Sequence, residues 1–209
     1  MVDRSGNARP VFGISASVTI GDPVASGVVS SACSGTVCLF KTAQTIISGT
    51  QTSAAPAGPA EFAIDGATAL IYFPHTGELD QWADGHLTPV EFRIDGVIAA
   101  MRSVSGVAQF AVRRRGGTWI VNEQDQVIGS IPAATGPVLL LNDGVLYTQR
   151  EQVVLRRTDG SEMRFSVAKP VQFAPLSDSY IQIRTPGASF ALRIDPGHEN
   201  LFQLPEVEQ

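Results

Sequence analysis

The sequence predicts an all-β fold built from a repeated four-stranded unit, and two observations carry that prediction. The first is a repeat of roughly 33 to 39 residues, a length seen in propeller-type arrays. Each copy holds four short apolar runs separated by turns. It is clearest in AEFAIDGATALIYFPHTGELDQWADGHLTPVEFRI (Ala60 to Ile94) and PVLLLNDGVLYTQREQVVLRRTDGSEMRFSV (Pro137 to Val167). The second is that no long stretch shows the 3.6-residue apolar period of a helix. Four strands per period is what a propeller blade requires. Residues 23–209 therefore predict a five-bladed β-propeller of four-stranded antiparallel blades. The competing arrangement is four blades behind an irregular N-terminal segment.

Taken in order, residues 1–22 precede the repeat. Val11–Ile20 has strand composition but no blade of its own. It either closes the ring by pairing with the last blade or runs as an arm along the rim, since an unclosed ring exposes two sheet edges. Inner strands (A) are expected to start near Gly27, Ala60, Val97, Pro137 and Val171. The second strands (B) are the clearest elements: Thr36–Phe40, Ala67–Phe73, Val107–Val112, Val145–Thr148 and Tyr180–Arg184. Their Val, Ile, Leu and aromatic content suits strands buried on both faces. Third strands (C) end at Asp84-Gly85, Asp159-Gly160 and Asp195-Pro196-Gly197, pairs that supply the left-handed backbone of a tight turn. Gln51–Ala55 makes a poor outer strand, so the first blade is expected to be the least regular.

On this pattern the chain resembles the β-propeller superfamily, over about residues 23–209 and without a family signature. The Trp-Asp dipeptide of WD40 repeats is missing, as is the Ser-x-Asp-x-Gly-x-x-Trp box of sialidase-type blades. Thr76-Gly77-Glu-Leu-Asp-Gln-Trp82 is similar to the turn of quinoprotein-type blades, with one extra residue. The pattern looks most like small propellers of secreted bacterial proteins. That resemblance implies a scaffold and admits a glycan-degrading enzyme, because some five-bladed propellers are glycoside hydrolases.

Composition narrows the function classes. With 44% hydrophobic and 17% charged residues the chain is globular. Its net charge of −5 argues against a nucleic-acid partner. No apolar stretch reaches the ~18 to 20 residues of a membrane span. MVDRSGNARPVFGIS lacks the apolar core of a secretory signal. Cys33 and Cys38 flank a plausible hairpin tip, where they form either a disulfide or two small buried thiols. The balance leans toward a periplasmic or secreted location.

Motifs for chemistry are sparse. His75, His86 and His198 lack metal-ligand spacing, no phosphate-cradling loop is present, and no cofactor is expected. The inner strands carry Glu61 and little else that is acidic, whereas a glycosidase needs two carboxylates. Trp82 and Trp119, on successive C strands, are expected to pack between blades. Once strands are placed, charge separates by face. B–C loops collect Lys41, His75, Arg113, Arg114, Arg115, Arg150 and Arg184 against Glu151, and a D–A loop adds Lys169, opposed by Asp95. The other face collects Asp65, Asp84, Glu123, Asp125, Asp143, Asp159, Asp178 and Asp195 against Arg102. Asp is common in turns for local reasons, but Arg and Lys have no such advantage. The expectation is a non-catalytic binding module. Lys41, His75, Arg113, Arg115, Arg150 and Arg184 are its ligand-binding residues, and an anionic glycan or acidic protein surface is the ligand. The alternatives are a glycan-degrading enzyme and a structural domain of a secreted assembly.

Overall fold

The computed structural model describes residues 1–14, 17–35, 37–104, 106–131 and 134–205. An N-terminal hairpin, β1 (Val11–Ile14) and β2 (Ser17–Ile20), precedes five four-stranded antiparallel sheets. Blade 1 holds β3 (Ser30–Ser34), β4 (Val37–Lys41), β5 (Thr45–Ser48) and β6 (Gln51–Ala54). Blade 2 holds β7 (Glu61–Asp65), β8 (Thr68–Phe73), β9 (Glu78–Ala83) and β10 (His86–Pro89). In blade 3 these are β11 (Val97–Val104), β12 (Val107–Arg114), β13 (Gly117–Asn122) and β14 (Val127–Ile131). Blade 4 has β15 (Val138–Leu141), β16 (Gly144–Gln149), β17 (Gln152–Arg157) and β18 (Glu162–Ser166). Blade 5 has β19 (Gln172–Ser177), β20 (Tyr180–Arg184), β21 (Ser189–Arg193) and β22 (Asn200–Gln203).

Each blade is four consecutive strands in spatial order. The inner strands β3, β7, β11, β15 and β19 neighbour one another in sequence, and β19 returns to β3. The protein is thus a five-bladed β-propeller, and the four-bladed alternative is excluded. The expected B strands begin and end within two residues of the observed ones, although Thr36 lies outside the described residues. One expectation needs correction. Gln51–Ala54 is a genuine outer strand, because the Gly49-Thr50 turn sets Ser48 against Gln51 and lets the ladder run to Thr45 and Ala54.

Both faces of each inner blade are buried, so the B strands are nearly continuous apolar runs. Separate clusters of buried side chains fill four junctions. Leu39, Ile71, Phe73 and Trp82 lie between blades 1 and 2. Leu79, Met101, Phe110 and Val121 lie between blades 2 and 3, with Trp119 against them. Ala111, Val145 and Tyr147 lie between blades 3 and 4, and Leu146, Leu155, Ile181, Ile183 and Leu192 between blades 4 and 5. Both tryptophans pack between blades. The blade 2–3 linker joins in through Phe92, which meets the Tyr72 ring edge-on at 5.9 Å.

The junction of blades 5 and 1 is built differently. No strand is shared across it, and β1 and β2 pair with each other rather than with blade 5. The segment before the hairpin docks there instead. Val2 and Ala8 pack on Val28, just before blade 1, and on Phe40 of β4. Gln182 of blade 5, fully buried, accepts a hydrogen bond from the Val2 amide (2.8 Å) and donates one to its carbonyl (2.9 Å). Asp178 adds a second tie, accepting from the Ser34 hydroxyl and the Gly35 amide. Cys33 and Cys38 face each other across the β3–β4 ladder and are joined in a disulfide.

Candidate functional site

The five inner strands enclose a central channel with a cup at each end. Ala32, Phe62, Met101, Leu139 and Pro175, one from each blade, line both cups and so lie between them. The far cup, on the side of the A–B and C–D turns, measures about 130 Å³. Its charged groups are already bonded to protein. Arg102 donates to Gln109 Oε1 (2.9 and 2.7 Å) and to the Gly144 carbonyl. Asp143 pairs with Arg157, and Asp178 holds the Ser34–Gly35 turn.

The near cup, on the side of the B–C and D–A loops, is larger, about 350 Å³. Ser31, Glu61, Arg113 and Gln172 give it polar walls. Glu61 opens β7 and Arg113 lies near the end of β12, so the ring brings together two groups far apart in sequence. No hydrogen bond or ion pair to Glu61 is found among the described residues. Burial pushes its carboxyl up to about 8, and the nearby positive charge of Arg113 opposes that rise. At neutral pH Glu61 is therefore mainly the uncharged acid, which carries a hydrogen-bond donor. Arg113 donates to the Gly136 carbonyl, which anchors it at the rim. Gln172 accepts from Arg184 Nη1 (3.0 Å) through its side-chain oxygen.

The six residues expected to bind a ligand do not form one cluster. Arg113 lines the near cup. Arg184 is half-buried beside it and held by Gln172. Arg115 and Arg150 are exposed on the B–C turns of blades 3 and 4. Arg150 holds a left-handed backbone (φ 57°) in that turn. His75 is exposed on the blade 2 turn and lies over Gly58, where a Cβ would fall 2.4 Å from its Nδ1. Lys41 is fully buried. The β4 strand runs one residue further than its apolar run suggests, and the Lys41 ammonium donates to the Thr42 and Ala43 carbonyls at 2.7 and 3.1 Å. Burial lowers its pKa. Arg114, placed on the cationic face by its loop, is neutralised by Asp125 and also bonded to the Asp95 carbonyl. The near face thus offers Arg113, Arg115 and Arg150 outward. Glu61 is the group that charge counting along the loops misses, and its position as an inner-strand acid was the available signal.

Among the described residues no group of three His, Cys, Asp or Glu is placed to hold a metal ion. No helix is long and apolar enough to cross a membrane.

Compared with protein-family models the sequence matches none, and it matches no curated protein. Solved structures share its fold at low identity. A chain of a nidogen/laminin complex aligns with a TM-score of 0.58 and 10% identity, over 88% of this chain and 83% of that one. Virginiamycin B lyase from Staphylococcus aureus aligns with a TM-score of 0.51 and 13% identity, over 98% and 80%. PorZ, a surface component of the type-IX secretion system of Porphyromonas gingivalis, aligns with a TM-score of 0.47 and 10% identity. This chain spans 28% of PorZ. At such identities the likeness establishes architecture alone: the five four-stranded sheets form a β-propeller, similar in fold to virginiamycin B lyase and the nidogen/laminin chain.

Proposed function

We propose that the protein is a non-catalytic binding module that takes an anionic group, such as the carboxylate of an acidic glycan, into the near cup. The observation that carries this reading is that Glu61 and Arg113 line the wall of one cavity, within electrostatic reach of each other. Arg113 supplies charge, and neutral Glu61 supplies a donor that does not repel an anion. A carboxylic acid kept neutral by its surroundings is suited to that role. Arg115 and Arg150 on adjacent turns add positive potential that draws an anion toward the mouth. Glu61 is the one carboxylate among the described residues lining the cup. Acid–base hydrolysis of a glycoside uses two, so the geometry favours holding a ligand over cleaving it. The Cys33–Cys38 bond favours an oxidising, extracytoplasmic setting.

Calorimetric titration with a galacturonate oligosaccharide, at pH 6.5 and at pH 9, tests the proposal. Because the folded pKa of Glu61 is raised, its proton is present below about 8 and lost above it. Affinity should therefore fall as pH rises through that value. Arg113→Ala should abolish binding. Glu61→Gln should keep binding at pH 6.5 and remove the decline at pH 9. Equal binding of the neutral galactose oligosaccharide, or binding indifferent to Arg113→Ala, would sink the idea.

A further inference from the structure

The junction of blades 5 and 1 contains a second cavity, larger than either cup, at about 720 Å³. It lies off the channel, between β4 and β5 on one side and β20 to β22 on the other, with the N-terminal segment across it. Its walls are mostly apolar: Phe12, Val37, Phe40, Tyr180, Phe202 and Leu204. It is a cleft open to solvent on one side, where Phe12 is 58% exposed, and its volume falls in the range of small-molecule sites.

The void has an identifiable origin. On the face that β20 turns to this junction stand Tyr180, Gln182 and Arg184, and Ala191 of β21 lies beside them. The opposite face, with Ile181 and Ile183, fills the junction with blade 4. Gln182 is occupied by the Val2 backbone, and Arg184 by Gln172. Small and committed side chains therefore leave the outer part of the seam unfilled.

Charge narrows the occupant. Among the described residues Arg9 is the single charged side chain lining the cavity, beside the Met1 α-ammonium, which donates to the Arg9 carbonyl. The Arg9 Nε pairs with Asp3 at 2.9 Å and its Nη1 donates to the Gly21 carbonyl. Arg184 also lies within electrostatic reach of Asp3. Two guanidinium groups against one carboxylate leave the base of the N-terminal segment net positive. An apolar chamber with one cationic edge suits a ligand with an apolar body and one acidic head.

We infer that the seam between blades 5 and 1 is a binding site for a free long-chain fatty acid, with the chain between the two blades and the carboxylate toward Arg9. A protein partner fits the cavity less well. A stable protein interface buries about 800 Å² per partner over a broad patch, whereas this site is a cleft between two sheets.

The test is titration of the purified protein with cis-parinaric acid, whose fluorescence rises in an apolar site. Saturable binding of one probe per chain is expected. Ala191→Phe, which fills the cavity without removing a contact, should weaken it at least tenfold while leaving the melting temperature unchanged or raised. The methyl ester of the probe should bind at least tenfold more weakly than the acid. Arg113→Ala should leave probe binding intact, which separates this site from the cup. Absence of saturable binding overturns the inference, as does binding that Ala191→Phe leaves unchanged. A dimer that Ala191→Phe dissolves would assign the cleft to a second copy of the chain and overturn it as well.

Discussion

The two junctions flanking blade 5 share that blade yet are filled in opposite ways. Toward blade 4, β20 and β21 present Ile181, Ile183 and Leu192 to Leu146, Val153 and Leu155, and Val167 of the linker completes the cluster. Toward blade 1, the same sheet presents Tyr180 and Ala191 to a cavity of about 720 Å³, while Gln182 is taken up by the Val2 backbone and Arg184 by Gln172. The difference follows from connectivity. Four junctions are crossed by a linker whose apolar side chains can be placed in the gap. The fifth has no linker, and no blade borrows a strand from the other end of the chain. Only the N-terminal segment reaches it, held by Val2, Ala8 and the Gln182 bonds. Ring closure here rests on side-chain chemistry rather than on a shared sheet.

The largest expected contrast comes from truncating one large side chain on each side of blade 5. Leu155 is 1% exposed in the filled junction, so Leu155→Ala should cost about 2–5 kcal/mol by lost burial and a residual cavity. Phe202 already borders open space in the seam. Phe202→Ala removes less buried area and leaves no new enclosed void, so it should cost about 1–2 kcal/mol. Urea denaturation of both variants measures the pair. Equal losses would mean that the seam is packed as tightly as its neighbour.

A smaller effect should come from the tie itself. Gln182→Ala strands the amide and carbonyl of Val2, which is 3% exposed, at a cost of about 1–3 kcal/mol for buried unpaired groups. The loss should be local, appearing as fast hydrogen exchange at Val2 and Ala8 while amides of blade 3 keep their protection. Uniform loss of protection across all blades would show that the N-terminal segment is part of the cooperative unit.

The filled junctions were legible in the sequence, and the open one was not. TALIYF and VLYT are near-continuous apolar runs, as strands between two packed junctions should be. YIQIR reads as another strand buried on both faces, and Gln182 within it is indeed fully buried. That its partner there is the Val2 backbone rather than an apolar side chain depends on the docking of the N-terminal segment, which composition does not encode. The position of Glu61 on an inner strand was equally readable, but its meeting with Arg113 depends on the curvature of the ring, which spacing along the chain does not encode. Lys41 misled for a local reason. A lysine after an apolar run suggests a solvated loop, yet the backbone turns at Thr42 and offers its ammonium two carbonyls. The first blade looked weak because Gln51–Ala54 is polar, which suits an outer strand whose Gln51, Thr52 and Ala54 are exposed.

The smallest expected effect is also the sharpest, because one substitution should change sign between junctions. Ala111 is fully buried among Val145, Tyr147 and Val154 between blades 3 and 4. Ala111→Val has no free volume to enter and should destabilise by about 1 kcal/mol or more through overpacking. Ala191 borders the seam cavity. Ala191→Val adds two methyl carbons to unfilled space, and burying them should stabilise by up to about 0.8 kcal/mol for each. Valine also suits a strand better than alanine does. Thermal melts of the two variants, run side by side, give the signs directly. If Ala191→Val destabilises like Ala111→Val, the seam closes in solution and the difference between the two junctions disappears. If it stabilises, the cavity is real space that the chain keeps empty at a cost in stability, which is what a site held open for a ligand requires.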